Sequence, residues 1–136
     1  GYYFFMLLSS CITSKEGIYS KQMKVAFIAE FKIKYFKKLL NEAYNGSGEI
    51  KTVLHNDQSG FSEPILTVSD INVIDSFVKI DNRILVLVSI KRIVQAPEGS
   101  RGKRAIGYAL LKYESKWLDS LAKARSKIFY NRLRSE

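Results

Sequence analysis

Basic side chains near one end of the sequence are its clearest chemical signal. Residues 101–136 contain ten Lys and Arg residues against three acidic ones, so this segment carries +7 of the chain's net charge of +9. Clustered cations attract the phosphate groups of nucleic acids and of anionic lipids. We therefore predict an anion-binding surface formed by Arg101, Lys103, Arg104, Lys123, Arg125, Lys127, Arg132 and Arg134. The alternative is that these side chains only solvate a helix.

The segment 99–104, with the sequence Gly-Ser-Arg-Gly-Lys-Arg, indicates a flexible hairpin tip with three cations in four positions. Such tips bind phosphates through backbone N–H groups and Arg side chains. A second group of lysines lies between Lys21 and Lys38, where six lysines face a single acid, Glu30.

Groups able to perform acid–base or nucleophilic chemistry are few. His55 and Asp57 are two residues apart, which permits an acid–base pair on a strand. Asp70 and Asp75 suit either pocket carboxylates or turn and cap residues. Cys11 is the only cysteine and His55 the only histidine, which excludes disulfide scaffolds and His-rich or multi-cysteine metal sites. We predict no catalytic, cofactor or metal site.

The first residues form an apolar and aromatic run, Tyr2–Leu8, followed by Ser9-Ser10-Cys11. The segment Leu8–Cys11 resembles a bacterial lipoprotein cleavage box, in which Cys11 would be lipidated. The alternatives are a buried strand, favoured by the aromatic content, and a short packed helix. The run is shorter than the ~20 residues of a membrane helix. A cytoplasmic location and one peripheral to a membrane both stay open.

Composition and periodicity then define the elements that must position these groups. A chain of 136 residues with 46% hydrophobic and 26% charged residues is typical of one globular domain, residues 1–136, and not of disorder. Apolar residues recur every fourth position from Met23 to Leu39, which predicts an amphipathic helix over about 21–44. The segment 45–48 ends it.

The middle of the chain is rich in β-branched residues. We interpret 65–68, 71–80, 84–94 and 103–113 as strands, with Asp81-Asn82 as a hairpin turn and 96–102 as a longer hairpin loop. The segment 49–57 suits either a strand or a helical turn.

The last part of the chain returns to helical spacing. Ser115 can cap a final basic helix with apolar positions from Trp117 to Leu133. The alternative is that residues 116–121 continue as a last strand before the helix. The predicted fold class is α+β: an antiparallel meander sheet of four to five strands, covered by the 21–44 helix and followed by the basic C-terminal helix.

The hairpin pair from Asp70 to Tyr113, followed by Ser-Lys-Trp-Leu-Asp-Ser-Leu at 115–121, resembles the end of the nuclear transport factor 2-like fold. This resemblance covers residues 21–121. It implies a curved sheet with a concave face, and either an interaction scaffold or a small pocket enzyme. Trp117, followed by Leu118 and Leu121, also resembles the C-terminal helix of pleckstrin-homology-type domains, which implies lipid-phosphate binding.

These observations favour a non-enzymatic interaction or scaffold module. It would dock to a larger assembly or an anionic surface through the basic hairpin and the C-terminal helix. The alternatives are an RNA- or ribosome-associated binding protein, and a small-molecule-binding or isomerase-like pocket protein. The expected partner is a protein or a second copy of the chain, with anionic lipid or nucleic acid also possible and no metal.

Overall fold

A computed structural model of the chain describes residues 2–60, 64–95 and 104–135. These residues form five α-helices: α1 (Tyr2–Ala43), α2 (Gly48–Asn56), α3 (Val68–Gln95), α4 (Ala105–Tyr113) and α5 (Lys116–Ser135). The described ranges contain no strand. The prediction of an α+β fold with an antiparallel sheet is therefore wrong, and so is the curved sheet implied by the nuclear transport factor 2-like resemblance.

Helix α1 is the central element and packs against the four other helices. Phe27, Phe31, Tyr35 and Leu39 are fully buried. Their four-residue spacing places them on one stripe of the helix. The predicted 21–44 helix is thus part of α1, which begins much earlier, at Tyr2. The strand interpretation of the first residues is wrong.

The C-terminal end of α1 is fixed by backbone geometry. Asn45 and Gly46 have φ angles of 58° and 61°, in the left-handed region. The N–H of Gly46 donates to the carbonyl oxygen of Asn41 at 2.7 Å, which satisfies one of the helix's last free carbonyl groups. Ser47 then caps α2, its hydroxyl accepting from the N–H of Ile50.

Aromatic contacts define the direction of the helices. Phe27 of α1 stacks on Phe129 of α5, with ring centroids 5.1 Å apart, and Phe36 meets Tyr113 of α4 at 6.0 Å. Further along α1, Tyr35 meets Trp117 near the start of α5 at 5.9 Å, and Ala43 packs with Ala105 at the start of α4. Residue numbers therefore rise along α1 as they fall along α5 and α4, so these helices run antiparallel to α1. Helix α3 runs parallel to α1, since Tyr35 meets Asp81 and Ala43 packs with Leu85. The described helices thus form a bundle around α1, and α2 lies in the connection between the parallel helices α1 and α3.

Helix α3 replaces two of the predicted strands, and Asp81-Asn82 lies inside the helix instead of in a hairpin turn. The buried side chains of α3 recur at intervals of three or four residues, which is helical periodicity; they are Asp70, Ile74, Val78, Asp81, Leu85 and Ser89. The helix begins at a capping box. Thr67 accepts a bond from the N–H of Asp70 at 3.2 Å, and Asp70 accepts one from the N–H of Thr67 at 2.9 Å.

Helix α4 replaces the predicted strand over 103–113. Its alanines Ala105 and Ala109 are almost fully buried, which lets the backbone of α4 approach α1 closely. The predicted hairpin loop at 96–102, with Arg101, and the neighbouring Lys103 lie outside the described residues. Within the described residues, every helix is too short or too polar to cross a lipid bilayer.

Candidate functional site

The basic face of α5 is the part of the predicted anion-binding surface that the structure shows most completely. Lys116, Lys123 and Lys127 are exposed. At 100° per residue they lie within about 40° of one another, over about 17 Å of helix. We call these three residues the basic stripe. Leu118, Ala122 and Ser126 are buried on a face of α5 centred about 120° around the helix from these lysines, so the stripe is held facing solvent.

One internal ion pair touches the stripe. Lys123 Nζ lies 2.8 Å from Asp119 Oδ2, one helical turn earlier. Hydrogen bonding to Lys123 is the main reason that the pKa of Asp119 lies below its usual value. Both side chains are substantially exposed, so the pair contributes little to stability.

Arg125 lies on the same helix but is already engaged. Its Nε is 2.7 Å from Asp70 Oδ1, and its Nη2 donates to the hydroxyl of Ser69 at 3.0 Å. The Arg125 side chain is 16% exposed and the Asp70 side chain 4%. This ion pair joins the N-terminal end of α3 to α5, so Arg125 links two helices of the bundle.

The remaining predicted cations are dispersed. Arg104 is exposed and immediately precedes α4. Arg132 is exposed on α5, about 160° around the helix from Lys116. Arg134 belongs to the last turn of α5. The structure thus brings Lys123 and Lys127 together and adds Lys116, which the predicted set omitted although it follows the same spacing.

The other residues considered for chemistry serve as links between helices. Asp57 is 3.0 Å from Lys37, and hydrogen bonds from Lys37 and then from Ser59 lower the pKa of the Asp57 carboxyl to about 2. Asp75 is 2.7 Å from Lys38 of α1. His55 is exposed at the end of α2, next to this linkage. In the described part of the chain, no three His, Cys, Asp or Glu side chains converge as metal ligands would.

A buried polar cluster lies between α1, α3 and α4, and sequence reasoning missed it. Asp81, 4% exposed, accepts hydrogen bonds from the hydroxyls of Tyr35 and Tyr108, the latter at 3.2 Å. Lys112 Nζ is 3.1 Å from Asp81 Oδ1 and also lies 4.5 Å from the ring centre of Trp117. We call Asp81, Tyr35, Tyr108 and Lys112 the Asp81 cluster.

The cluster holds its tyrosines in the protonated form. Burial, followed by the Asp81 carboxylate, raises the pKa of Tyr108 to about 12, and the same causes raise that of Tyr35 further. Both hydroxyls therefore stay hydrogen-bond donors at any physiological pH. A signal was present in the sequence, because Asp81 shares the helical stripe of Val78 and Leu85.

An apolar groove of about 420 Å³ lies beside this cluster, between α3 and α4. Helix α3 contributes Leu85, Val88 and Ser89 to its lining. Gly107, Tyr108 and Leu111 come from α4, and Arg104 stands where α4 begins.

Comparison with known proteins adds no family to this description. No protein-family model, no curated protein sequence and no solved structure matches the chain significantly.

Proposed function

We propose that this chain is a non-enzymatic interaction module that docks on an anionic surface of a larger assembly through the basic stripe of α5. The observation that supports the proposal is the alignment of Lys116, Lys123 and Lys127 on one exposed face. A row of cations on a fixed helix is complementary to a surface carrying repeated negative charges.

The surroundings of the stripe strengthen its positive potential. Helix α5 contains six basic residues and one acidic residue, Asp119. Packing of α5 against α1, including the contact between Phe27 and Phe129, removes the need to order the backbone on binding. Docking therefore costs mainly the ordering of lysine side chains.

Charge reversal tests the proposal directly. In the double variant Lys116→Glu/Lys127→Glu, Lys123 keeps its ion pair with Asp119 while the two ends of the stripe change sign. We expect affinity for an anionic partner to fall at least tenfold, since each surface cation near a charged membrane contributes about 1 kcal/mol. The matched control is Lys51→Glu/Lys79→Glu, which changes net charge equally at exposed positions of α2 and α3.

Two probes distinguish the kinds of anionic surface. One is a vesicle of phosphatidylserine and phosphatidylcholine, and the other is a 20-base-pair RNA duplex, each titrated at several salt concentrations. For nucleic acid contacted by the three lysines, we expect log K against log salt to have a slope of about −2 to −3. Equal loss of binding in the stripe variant and its control would contradict the proposal. So would the finding that the unmodified chain binds neither the vesicle nor the RNA duplex.

A further inference from the structure

The groove between α3 and α4 has the size and lining of a small-molecule site. Its volume of about 420 Å³ falls within the range of sites that enclose small ligands. Leu85, Val88 and Leu111 give it apolar walls. Two of these walls are open to solvent, because Val88 is 50% exposed and Leu111 72% exposed.

The polar groups inside the groove are already engaged, apart from one cation. The Ser89 hydroxyl donates to the carbonyl oxygen of Leu85 at 2.8 Å, and the Tyr108 hydroxyl donates to Asp81. Arg104 is exposed at one end, its side chain forms no cap bond, and it forms no ion pair with a carboxylate of the described residues. A complementary ligand is therefore mostly apolar and has one negative group at one end.

The shape of the groove also favours an elongated ligand. Arg104 and Leu111 are seven residues apart, so the α4 wall extends for about 10 Å. Gly107 lies between them, and a Cβ atom built there meets nothing within 4 Å. The missing side chain leaves an open channel along α4 that a flexible chain can occupy.

We propose that this groove binds a single-chain amphiphilic anion. The alkyl chain lies against Leu85, Val88 and Leu111, and the anionic group pairs with the guanidinium of Arg104. This site is separate from the basic stripe, and its occupant is a small molecule instead of an extended surface.

Decanoate is the probe, used with the full chain below the concentration at which it forms micelles, and its binding is measured by calorimetry. The neutral alcohol 1-decanol provides the comparison. We expect Arg104→Gln to weaken decanoate binding about five- to tenfold, which corresponds to the loss of one charge-assisted hydrogen bond. The affinity for 1-decanol should change less than twofold.

A second variant tests the apolar part of the site. Gly107→Leu places a side chain in the open channel and should abolish binding of both probes. Gly48→Leu is the matched control, because a Cβ atom at Gly48 also meets nothing within 4 Å. Thermal unfolding of each variant verifies that the bundle stays folded.

Three results would overturn the proposal. The first is that decanoate does not bind the unmodified chain. The second is that Gly107→Leu and Gly48→Leu have the same effect on decanoate binding. The third is that an acidic amphipathic peptide binds the groove while decanoate does not, which would assign it to a protein partner.

Discussion

Tyr108 lies between two regions that differ in whether their groups have partners: the Asp81 cluster and the apolar groove. Its hydroxyl belongs to the Asp81 cluster, where the buried Asp81 carboxylate is matched by two tyrosine donors and by Lys112. Its other side lines the groove, where apolar surface faces solvent without a partner among the described residues. Side chains that look chemically active thus hold the bundle together, whereas the binding surfaces that we propose are the apolar and cationic ones around them.

The largest expected effect on stability comes from disrupting the Asp81 cluster. Asp81→Ala leaves the buried Tyr35 hydroxyl without its acceptor and the Lys112 ammonium without its counter-ion. We expect the free energy of unfolding to fall by about 3–5 kcal/mol, the usual cost of removing one partner of a buried ion pair. Urea denaturation at pH 7 measures this loss.

Asp75→Ala on the same helix is the control for that measurement. The ion pair of Asp75 with Lys38 is partly exposed, with side-chain exposures of 41% and 29%, so its loss should cost less than about 1 kcal/mol. Equal losses in the two variants would mean that burial does not distinguish the two carboxylates.

The second effect appears only in alkaline solution. Tyr108 has a pKa of about 12 in the folded protein against 10 for an ordinary tyrosine, and the pKa of Tyr35 is raised as well. Between pH 10 and pH 12 the unfolded chain therefore loses these protons before the folded one does. Stability that is fully present below pH 10 should decline as pH rises through this window.

Urea midpoints at pH 8, 10 and 11.5 measure this decline. The double variant Tyr35→Phe/Tyr108→Phe should show a shallower decline, while Tyr44→Phe, at an exposed position, should retain the original one. A decline that is unchanged in the double variant would assign the alkaline sensitivity to other groups.

The smallest expected effect on stability comes from a substitution at Gly107 in the groove. Gly107→Ala should stabilise the protein by up to about 1 kcal/mol, because alanine is the better helix former and its Cβ meets open space. Thermal unfolding should show a rise of a few degrees in Tm. Gly46→Ala is the opposite case, since its φ of +61° strains any residue with a side chain, and should lower Tm. A fall in Tm for Gly107→Ala would mean that the groove is closed.

The sequence predicted the helices whose two faces differ in polarity. In α1 the apolar residues from Phe27 to Leu39 recur every fourth position, and in α5 Leu118 and Ala122 lie on a different face from the lysines. In such segments the apolar positions of the sequence are also the positions that are buried in the fold. The sequence therefore predicts the helices over 21–43 and 116–135.

Helix α3 was mistaken for strands because both of its faces are apolar. Leu85 is buried against α1, while Ile84, Leu87 and Val88 are 44–61% exposed. The outer residues fill the gaps between the buried ones, so the four-residue period disappears and the β-branched content dominates. The capping box at Thr67 and Asp70 was the local signal that favoured a helix.

The candidate sites also divide into those that the sequence reveals and those that depend on how the helices pack. Exposed cations such as Lys123 and Lys127 were identified because charge is visible in a sequence. The groove and the Asp81 cluster were not, because each depends on how α3 and α4 both pack against α1. The pair Asp81-Asn82 favours a turn because turns commonly contain such residues. In the structure the Asp81 carboxylate instead accepts hydrogen bonds from two tyrosines that are distant in sequence.

The antiparallel pairing of α1 with α5 has a consequence for synthesis on the ribosome. Phe27 stacks on Phe129, so the partner of an early residue is made about 100 residues later. At 5–20 residues per second, the nascent chain carries Phe27 without its α5 partner for roughly 5–20 s. During that interval Phe27 exposes apolar surface of the kind that chaperones bind, so we expect newly made chains to depend on chaperones more than refolded chains do.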